Sequence, residues 1–383
     1  MTGVTTLPPL EPLPAVRVEL IELVTIRLHL ATPLRTAAGA QLHRDVLLVH
    51  VRAAEAEGWA ECAVEPSPTY SPEFSEAARL VLTDHLVPLA WAGPTGDALA
   101  LGRHLTAVRG HPMARAAVEL AVLDAQLRAA GRSLASWLGA TATSVPAGAA
   151  LGLHPDPADL LAEADAALAA GAARLRVKVA PGAAAAPLAA LRAHVGGGVL
   201  LQADANGTFA LDDAAHLAEL HLLDELGLAC LEQPLSPEDL MGHARLAEQL
   251  DTPICLDEPL TSLAAVESAI ALGACEVVCL KPARVGGWIA TRAVHDRCVE
   301  LGVPMWVGGM LETGVGRAAN AAAAALPGMA LPPDLDPRGR FDPDLADPLR
   351  PVDGLVAVPD GPGTGAVPDP GQLVAAEIIP LRP

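Results

Sequence analysis

Aromatic side chains are scarce in this 383-residue chain: one tyrosine, three phenylalanines and five tryptophans. A core built on stacked rings is excluded, and burial must come from the abundant Ala, Leu, Val and Pro, as it usually does inside parallel barrels. Basic residues are also few. Lys and Arg number 25 against 45 Asp and Glu, for a formal charge of −20. No Lys/Arg cluster stands out, which argues against a nucleic-acid partner because phosphate binding needs a basic face. An acidic surface mostly serves solubility and names no ligand. The six cysteines (Cys62, Cys230, Cys255, Cys275, Cys279, Cys298) form no C-x-x-C pair. Several sit inside apolar runs, as buried free thiols do, so a reducing compartment is expected. No apolar run is long enough to span a bilayer. The opening MTGVTTLPPLEPLPA has neither a basic start nor an apolar centre and reads as a flexible Pro-rich lead, not a signal peptide. A cytoplasmic protein with no membrane partner is expected.

Half of the residues are apolar, and the length suits one α/β domain of about 200–250 residues beside a smaller one. Val16 to Leu30 and Asp45 to Cys62 alternate in the β manner and predict an antiparallel sheet. Between them Ala31 to Gln41 reads as a mobile loop. A second loop, Glu65 to Ser71, ends at a serine suited to cap a helix from Pro72 to Leu86. Helices near Leu99 to Arg109 and Met113 to Ala130 follow. After Gly139, short apolar runs alternate with Ala/Leu-rich helical stretches. Alternation of this kind predicts a parallel sheet covered outside by helices, and so many repeats favour closure into a barrel. From Leu331 the chain is Pro/Asp-rich. The expected division is a lead (1–15), an α+β domain (16–140), a (β/α) barrel (141–330) and a C-terminal segment (331–383) packing back on the first sheet.

Five polar residues, Lys178, Asp204, Glu232, Asp257 and Lys281, each close an apolar run at spacings of 26, 28, 25 and 24 residues. One strand plus one helix has that length, so a parallel barrel would bring all five to one mouth. Along Arg174 to Val179 cationic and aliphatic residues alternate strictly. An edge strand with a solvated basic face would show the same parity, but the acids at matching strand ends favour cations pointing inward. Singly, each acid suits a helix cap. Together, without histidine or thiolate, they suit a hard divalent cation, Mg²⁺ before Mn²⁺. Lys281 beside such a cation would be a base with its pKa pulled down from ~10.4, or only a clamp on an anionic substrate. Gly314 to Ala319 fits the pattern G-x-G-x-x-A, but it comes late in the series and lacks the βαβ context of a dinucleotide site. The glycines from Gly308 to Gly314 instead suggest close backbone approach to a ligand. His154, His216 and His295 read as structural.

Lys178, Asp204 with Asn206, Glu232-Gln233-Pro234, Leu256-Asp257-Glu258, Lys281-Pro282 and Gly308 to Thr313 together resemble the enolase superfamily. Arg174 to Pro181, Ile254 to Glu258, Lys281 to Gly287 and Gly308 to Asn320 look most like its o-succinylbenzoate synthase / N-acylamino acid racemase group. The resemblance runs from Val16 to the C-terminus. It implies a modified TIM-type barrel whose N-terminal α+β domain, completed by the C-terminal tail, is a cap. It further implies Asp204, Glu232 and Asp257 as Mg²⁺ ligands, with Lys178 and Lys281 flanking the α-carbon of a small carboxylate substrate. Proton removal there gives an enediolate. For a synthase of menaquinone biosynthesis, Lys178 is the base, loss of a hydroxyl follows and Lys281 stabilises the anion. For an N-succinylamino acid racemase the lysines work from opposite faces. Arg176 replaces the family's first lysine, and Arg284, usual where racemases occur, implies dual activity. Asn206, Glu258, Gly309, Met310 and Glu312 would bind substrate or support the site. Leu34, Tyr70 and Phe341 would line the side-chain pocket under a lid made of the two loops. The expectation is a cytoplasmic homo-oligomer with synthase as its main activity. A catalytically silent binding protein on the same scaffold is the third reading.

Overall fold

The structure, a computed structural model, describes residues 7–36, 39–154 and 156–383, and side chains over the same residues except 32–40. β1 (Val18–Thr36) and β2 (Gly39–Ala53) form a long antiparallel hairpin, and β3 (Glu57–Cys62) pairs with β2. Both faces of this sheet are covered. Ile21, Leu23, Leu47 and Val49 pack on the helix Pro112–Ala129, while Val24, Ile26, Leu28 and Leu48 pack with Phe341 and Leu345 from the tail. Each such buried aliphatic contributes about 1.5–3 kcal/mol. The expected loop at Ala31 to Gln41 is instead hairpin. Leu34 pairs with Gln41 and Thr36 with Gly39 beyond an irregularity after His29. Small side chains hide such backbone pairing from a pattern search. The side chain of Leu34 lies outside the described residues.

The helix expected from Pro72 starts at Ser75, without a side-chain cap. Ser71 does not cap it: its hydroxyl accepts from Glu73 N at 3.3 Å, and the Ser75 N–H goes to Glu65 O at 2.9 Å. Backbone from the preceding loop does the work that a capping serine would have done.

Seven parallel strands follow: β4 (Ser144–Leu151), β5 (Ala172–Lys178), β6 (Leu200–Asp204), β7 (Leu231–Glu232), β8 (Ile254–Leu256), β9 (Val277–Leu280) and β10 (Met305–Val307). Each pairs with the next. The ring is closed by an irregular stave, residues 329–334. It donates from Ala330 N to Met305 O (2.8 Å) and from Asp334 N to Val307 O (3.0 Å) on one side, and accepts from Gly148 N at Pro333 O (2.9 Å) on the other. A Cβ on Gly148 would lie 2.5 Å from Pro333 O, so glycine on β4 permits the closure.

Aliphatic side chains do not fill the barrel, as they were expected to. Leu175, Val177, Leu201, Ile254 and Leu280 face outward to the helices, while Cys230, Cys255, Val277, Cys279 and Trp306 pack inside with the charged residues described below. All six cysteines are buried and unpaired by disulfide.

The tail divides its partners. β11 (Leu355–Ala357) runs antiparallel to β4 on the barrel, and β12 (Glu377–Leu381) pairs antiparallel with β1 on the cap sheet. Residues 7–15 of the lead are fastened down, contrary to expectation. Leu7, Leu10 and Leu13 pack on the cap core. The carbonyls of Pro8, Glu11 and Pro14 accept from Arg292, Trp137 and Gln126 at 2.5, 2.8 and 2.9 Å. No described helix is long and apolar enough to cross a membrane.

Candidate active site

The parity of β5 sets the site. Leu175 and Val177 join the helix layer, which turns Arg174, Arg176 and Lys178 into the barrel. Such inward cations are tolerable only with anions to receive them. Arg174 lies over Trp306, 4.0 Å from the ring centre, bonds Gln202, and reaches Asp334 at 2.7 Å. Arg176 donates to Asp204 at 2.6 Å, to Glu232 at 3.2 Å and to Asp334 at 2.5 Å. Lys178, at the mouth, donates to Asp204 Oδ2 and Asn206 Oδ1, both at 2.6 Å. Asp334 was not singled out in the sequence. It sits on the irregular stave, and the two arginines hold its carboxyl below the usual range against the opposing effect of burial.

Asp204, Glu232 and Asp257 end or follow three adjacent strands, with no exposed surface. Burial pushes the Glu232 carboxyl up to about 8; Arg176 opposes this, and Asp204 and Asp257 add to it. Asp257 behaves oppositely. Burial would raise its pKa, but Arg284 and Lys281 hold it well below the carboxylate range. Arg284 bonds one of its oxygens, and Lys281 Nζ and Tyr70 OH reach the other at 2.8 Å each. Lys281 Nζ also bonds Tyr70 OH at 2.8 Å. Burial would lower the pKa of Lys281, yet Asp257 and then Tyr70 keep the ammonium well above its ordinary value. Among the protein's own groups the direct contact with an anion outweighs the neighbouring arginine, which acts to lower the pKa.

In an eight-stave ring β5 and β9 are four staves apart, so Lys178 and Lys281 face each other across the mouth. Both line a cavity of about 700 Å³, together with Arg176, Asn206, Glu258, Tyr70, Gly309, Met310 and Glu312. The three carboxylates lie beneath them. Asn206 Nδ2 donates to Glu258 at 2.8 Å. Glu258 is pushed up to about 7, by burial first and then by Asp257, and its Oε2 has no partner among the described residues. Glu312 takes Met310 N at 2.8 Å and Asn320 Nδ2 at 3.0 Å, which fixes the turn at the cavity wall. Tyr70 falls where the sequence suggested. Phe341 does not line this cavity, since its backbone bridges to Leu30 and its ring packs on the cap sheet. Within the glycine run Gly309 lines the cavity, while Gly308 serves another end. A Cβ on Gly308 would sit 2.5 Å from Cys279 Sγ and 2.9 Å from Lys281 Cε, so this glycine makes room for the lysine and not for a ligand. His154, His216 and His295 bond Glu163, Ala210 N and Asp296 in structural roles.

The chemistry of the donors suits a metal ion. Glu232, Asp257 and Cys279 present ligand atoms within 4.8 Å of one another, all buried. Asp204, the third expected ligand, stands outside that trio with its Oδ2 engaged by Arg176 and Lys178. Carboxylates without histidine fit a hard divalent cation, and the crowding that raises Glu232 is what such a charge relieves.

Residues 20–139 match the mandelate racemase / muconate lactonizing enzyme N-terminal domain, and residues 159–372 match the enolase C-terminal domain-like family. An N-succinylamino acid racemase of Amycolatopsis sp is 43% identical over 354 residues, 92% of this chain and 95% of that one. An o-succinylbenzoate synthase of Geobacillus stearothermophilus is 38% identical, covering 92% and 93%. The solved structure of an enolase superfamily member from Listeria innocua superposes with a TM-score of 0.90 at 32% identity, over 96% of this chain and 99% of that one. A capped barrel, lysines facing each other over buried carboxylates and these matches agree: this chain is an enzyme of the enolase superfamily, in its o-succinylbenzoate synthase / N-acylamino acid racemase group.

Proposed function

We propose that the chain is a Mg²⁺-dependent o-succinylbenzoate synthase acting in menaquinone synthesis, and that it also racemises N-succinylamino acids. The observation that carries the reading is the placement of Lys178 and Lys281 on opposite staves, each bonded to one of the buried carboxylates, Asp204 and Asp257. Asp204, Glu232 and Asp257 would hold the cation, which when bound supplies positive charge beside the substrate carboxylate and so acidifies the α-proton. Lys178, oriented by Asp204 and Asn206, takes that proton. In the synthase reaction the hydroxyl on the neighbouring carbon then leaves as water, taking the proton that Lys178 removed, and the ring becomes aromatic, while the Lys281 ammonium stabilises the carboxylate's developing charge. Asp257 and Tyr70 keep Lys281 charged and fixed for that role. The racemase reading is favoured by the same opposition of amines, because returning a proton to the other face of a planar carbon needs a second group across from the first. Arg284, in contact with Asp257, steadies the Lys281 side.

The test is a side-by-side assay on the cyclohexadiene precursor of o-succinylbenzoate and on N-succinylamino acids, with α-proton exchange followed in D₂O. Turnover of both is expected. Turnover of the amino acids alone would make the racemase the whole function, and metal binding with no exchange would remove the enzyme reading.

A further inference from the structure

Five arginines and lysines line the cavity: Arg176, Lys178, Lys281, Arg317 and Arg340. Arg176, Lys178 and Lys281 are engaged as described, and Arg340 is paired with Asp336 at 2.6 Å. Arg317 differs. It is 97% buried, and among the described residues no carboxylate oxygen lies within 4.0 Å of it. Its Nε and Nη2 donate to two backbone carbonyls, Pro348 O at 3.1 Å and Asp336 O at 3.0 Å. A guanidinium has five N–H donors in a rigid fork. Nη1 finds no partner among the described residues, although the side chain borders open space. Burying a charge with only carbonyl oxygens in direct contact is costly, and burial lowers the pKa of this arginine even though Asp336, Asp344 and Glu312 act against it from a distance. Anchored at two corners with a free edge on the cavity, the group is preorganised for an anion.

We propose that Arg317 forms a second anion subsite that takes the distal carboxylate of a succinyl-bearing substrate, remote from the reacting end. This rests on the function proposed above, in which both substrates carry a succinyl group besides the carboxylate that reacts. The reacting carboxylate belongs at the Asp204, Glu232 and Asp257 end. The far one meets the cavity-lining cation that, among the described residues, has no carboxylate in direct contact. Because Arg317 lies on the first turn of the helix Gly314–Ala324, immediately after the Glu312 turn, one short segment shapes the wall of the cavity and its distal charge. Arg317 is on this view a specificity residue and not a catalytic one.

The experiment compares N-succinyl-, N-succinamyl- and N-acetylphenylalanine in proton exchange, with wild type and with Arg317→Met. In wild type, replacing the distal carboxylate by the neutral amide should lower kcat/KM at least about tenfold, the effect of one charge-assisted hydrogen bond. That needs no variant to fold. In Arg317→Met the ratio of kcat/KM for the succinyl over the acetyl substrate should fall by a similar factor, with Arg317→Lys between. A ratio equal in wild type and variant, or no discrimination between carboxylate and amide, overturns the subsite. If wild type exchanges none of the three, the proposed function fails while the subsite is still judged. Free succinate should then bind more tightly than succinamate by calorimetry, and equal binding overturns it.

Discussion

Individual side chains here carry opposite burdens. Lys178 is poised by two short hydrogen bonds, and its removal should lower turnover by about 10²–10⁴ while leaving Mg²⁺ binding measurable by calorimetry. Retained turnover of Lys178→Ala would take the base assignment away. Arg176 has a structural burden as well, since it touches Asp204, Glu232 and Asp334 at once. Arg176→Ala leaves Asp204 to Lys178, Asp334 to Arg174 and Glu232 with only the Gln202 amide, and should cost about 3–5 kcal/mol in urea unfolding, with Arg176→Lys costing less. A loss below about 1 kcal/mol would show that the acids find other partners. The five charged strand ends were readable from spacing alone because each follows a run of apolar strand. Asp334 was not, since its stave is Pro/Asp-rich and has no strand pattern. Nor was the content of the barrel: Cys230, Cys255, Cys279 and Trp306 are apolar enough to pass as ordinary core, and only their shared inward face distinguishes them.

Helix starts reveal a device that spacing could not show. Three buried glutamates receive N–H groups at the beginnings of helices remote in sequence. Glu73 serves Met113 and Ala114, Glu119 serves Trp288 and Ile289, and Glu61 serves Thr313 and Gly316. The last two join the cap to the barrel, and they supply partners that a local capping residue would otherwise provide. Glu119→Ala leaves two N–H groups without an acceptor and should cost about 1–3 kcal/mol; an unchanged unfolding midpoint would mean water replaces it. Burial pushes Glu61 up to about 7, Arg44 acting against this and Glu312 with it. Between pH 4.5 and 7 the folded state therefore keeps a proton that the unfolded state has released. Stability from this group is full below the unfolded pKa and is lost as pH rises, by up to about 3 kcal/mol. Glu61→Gln does not titrate, so its stability relative to wild type should rise from pH 5 to pH 8. A pH-independent difference would show that Glu61 stays in one state.

For the chain taken together, cap and barrel form one unit through these bonds, the fastened lead and the divided tail. A cation bound only by the folded site stabilises it by mass action, about 2.7 kcal/mol at a hundred times Kd. Mg²⁺ should accordingly raise the melting temperature and a chelator should reverse the rise. No shift at saturating Mg²⁺ would count against the carboxylate site. Fold class was readable because alternating apolar runs and helices recur with constant length. The seam was not, because the barrel closes through residues 329–334, whose hydrogen bonds come from irregular backbone.

The pairing of β12 with β1 also has a mechanical side. Ile21 lies opposite Leu381 and Thr25 opposite Glu377, so the outer ends of the two strands emerge together. A force drawn between them peels the ladder one rung at a time and does not shear all its hydrogen bonds at once. Tension across this pair would detach β12 and bare the edge of the cap sheet while the barrel below still held its ring.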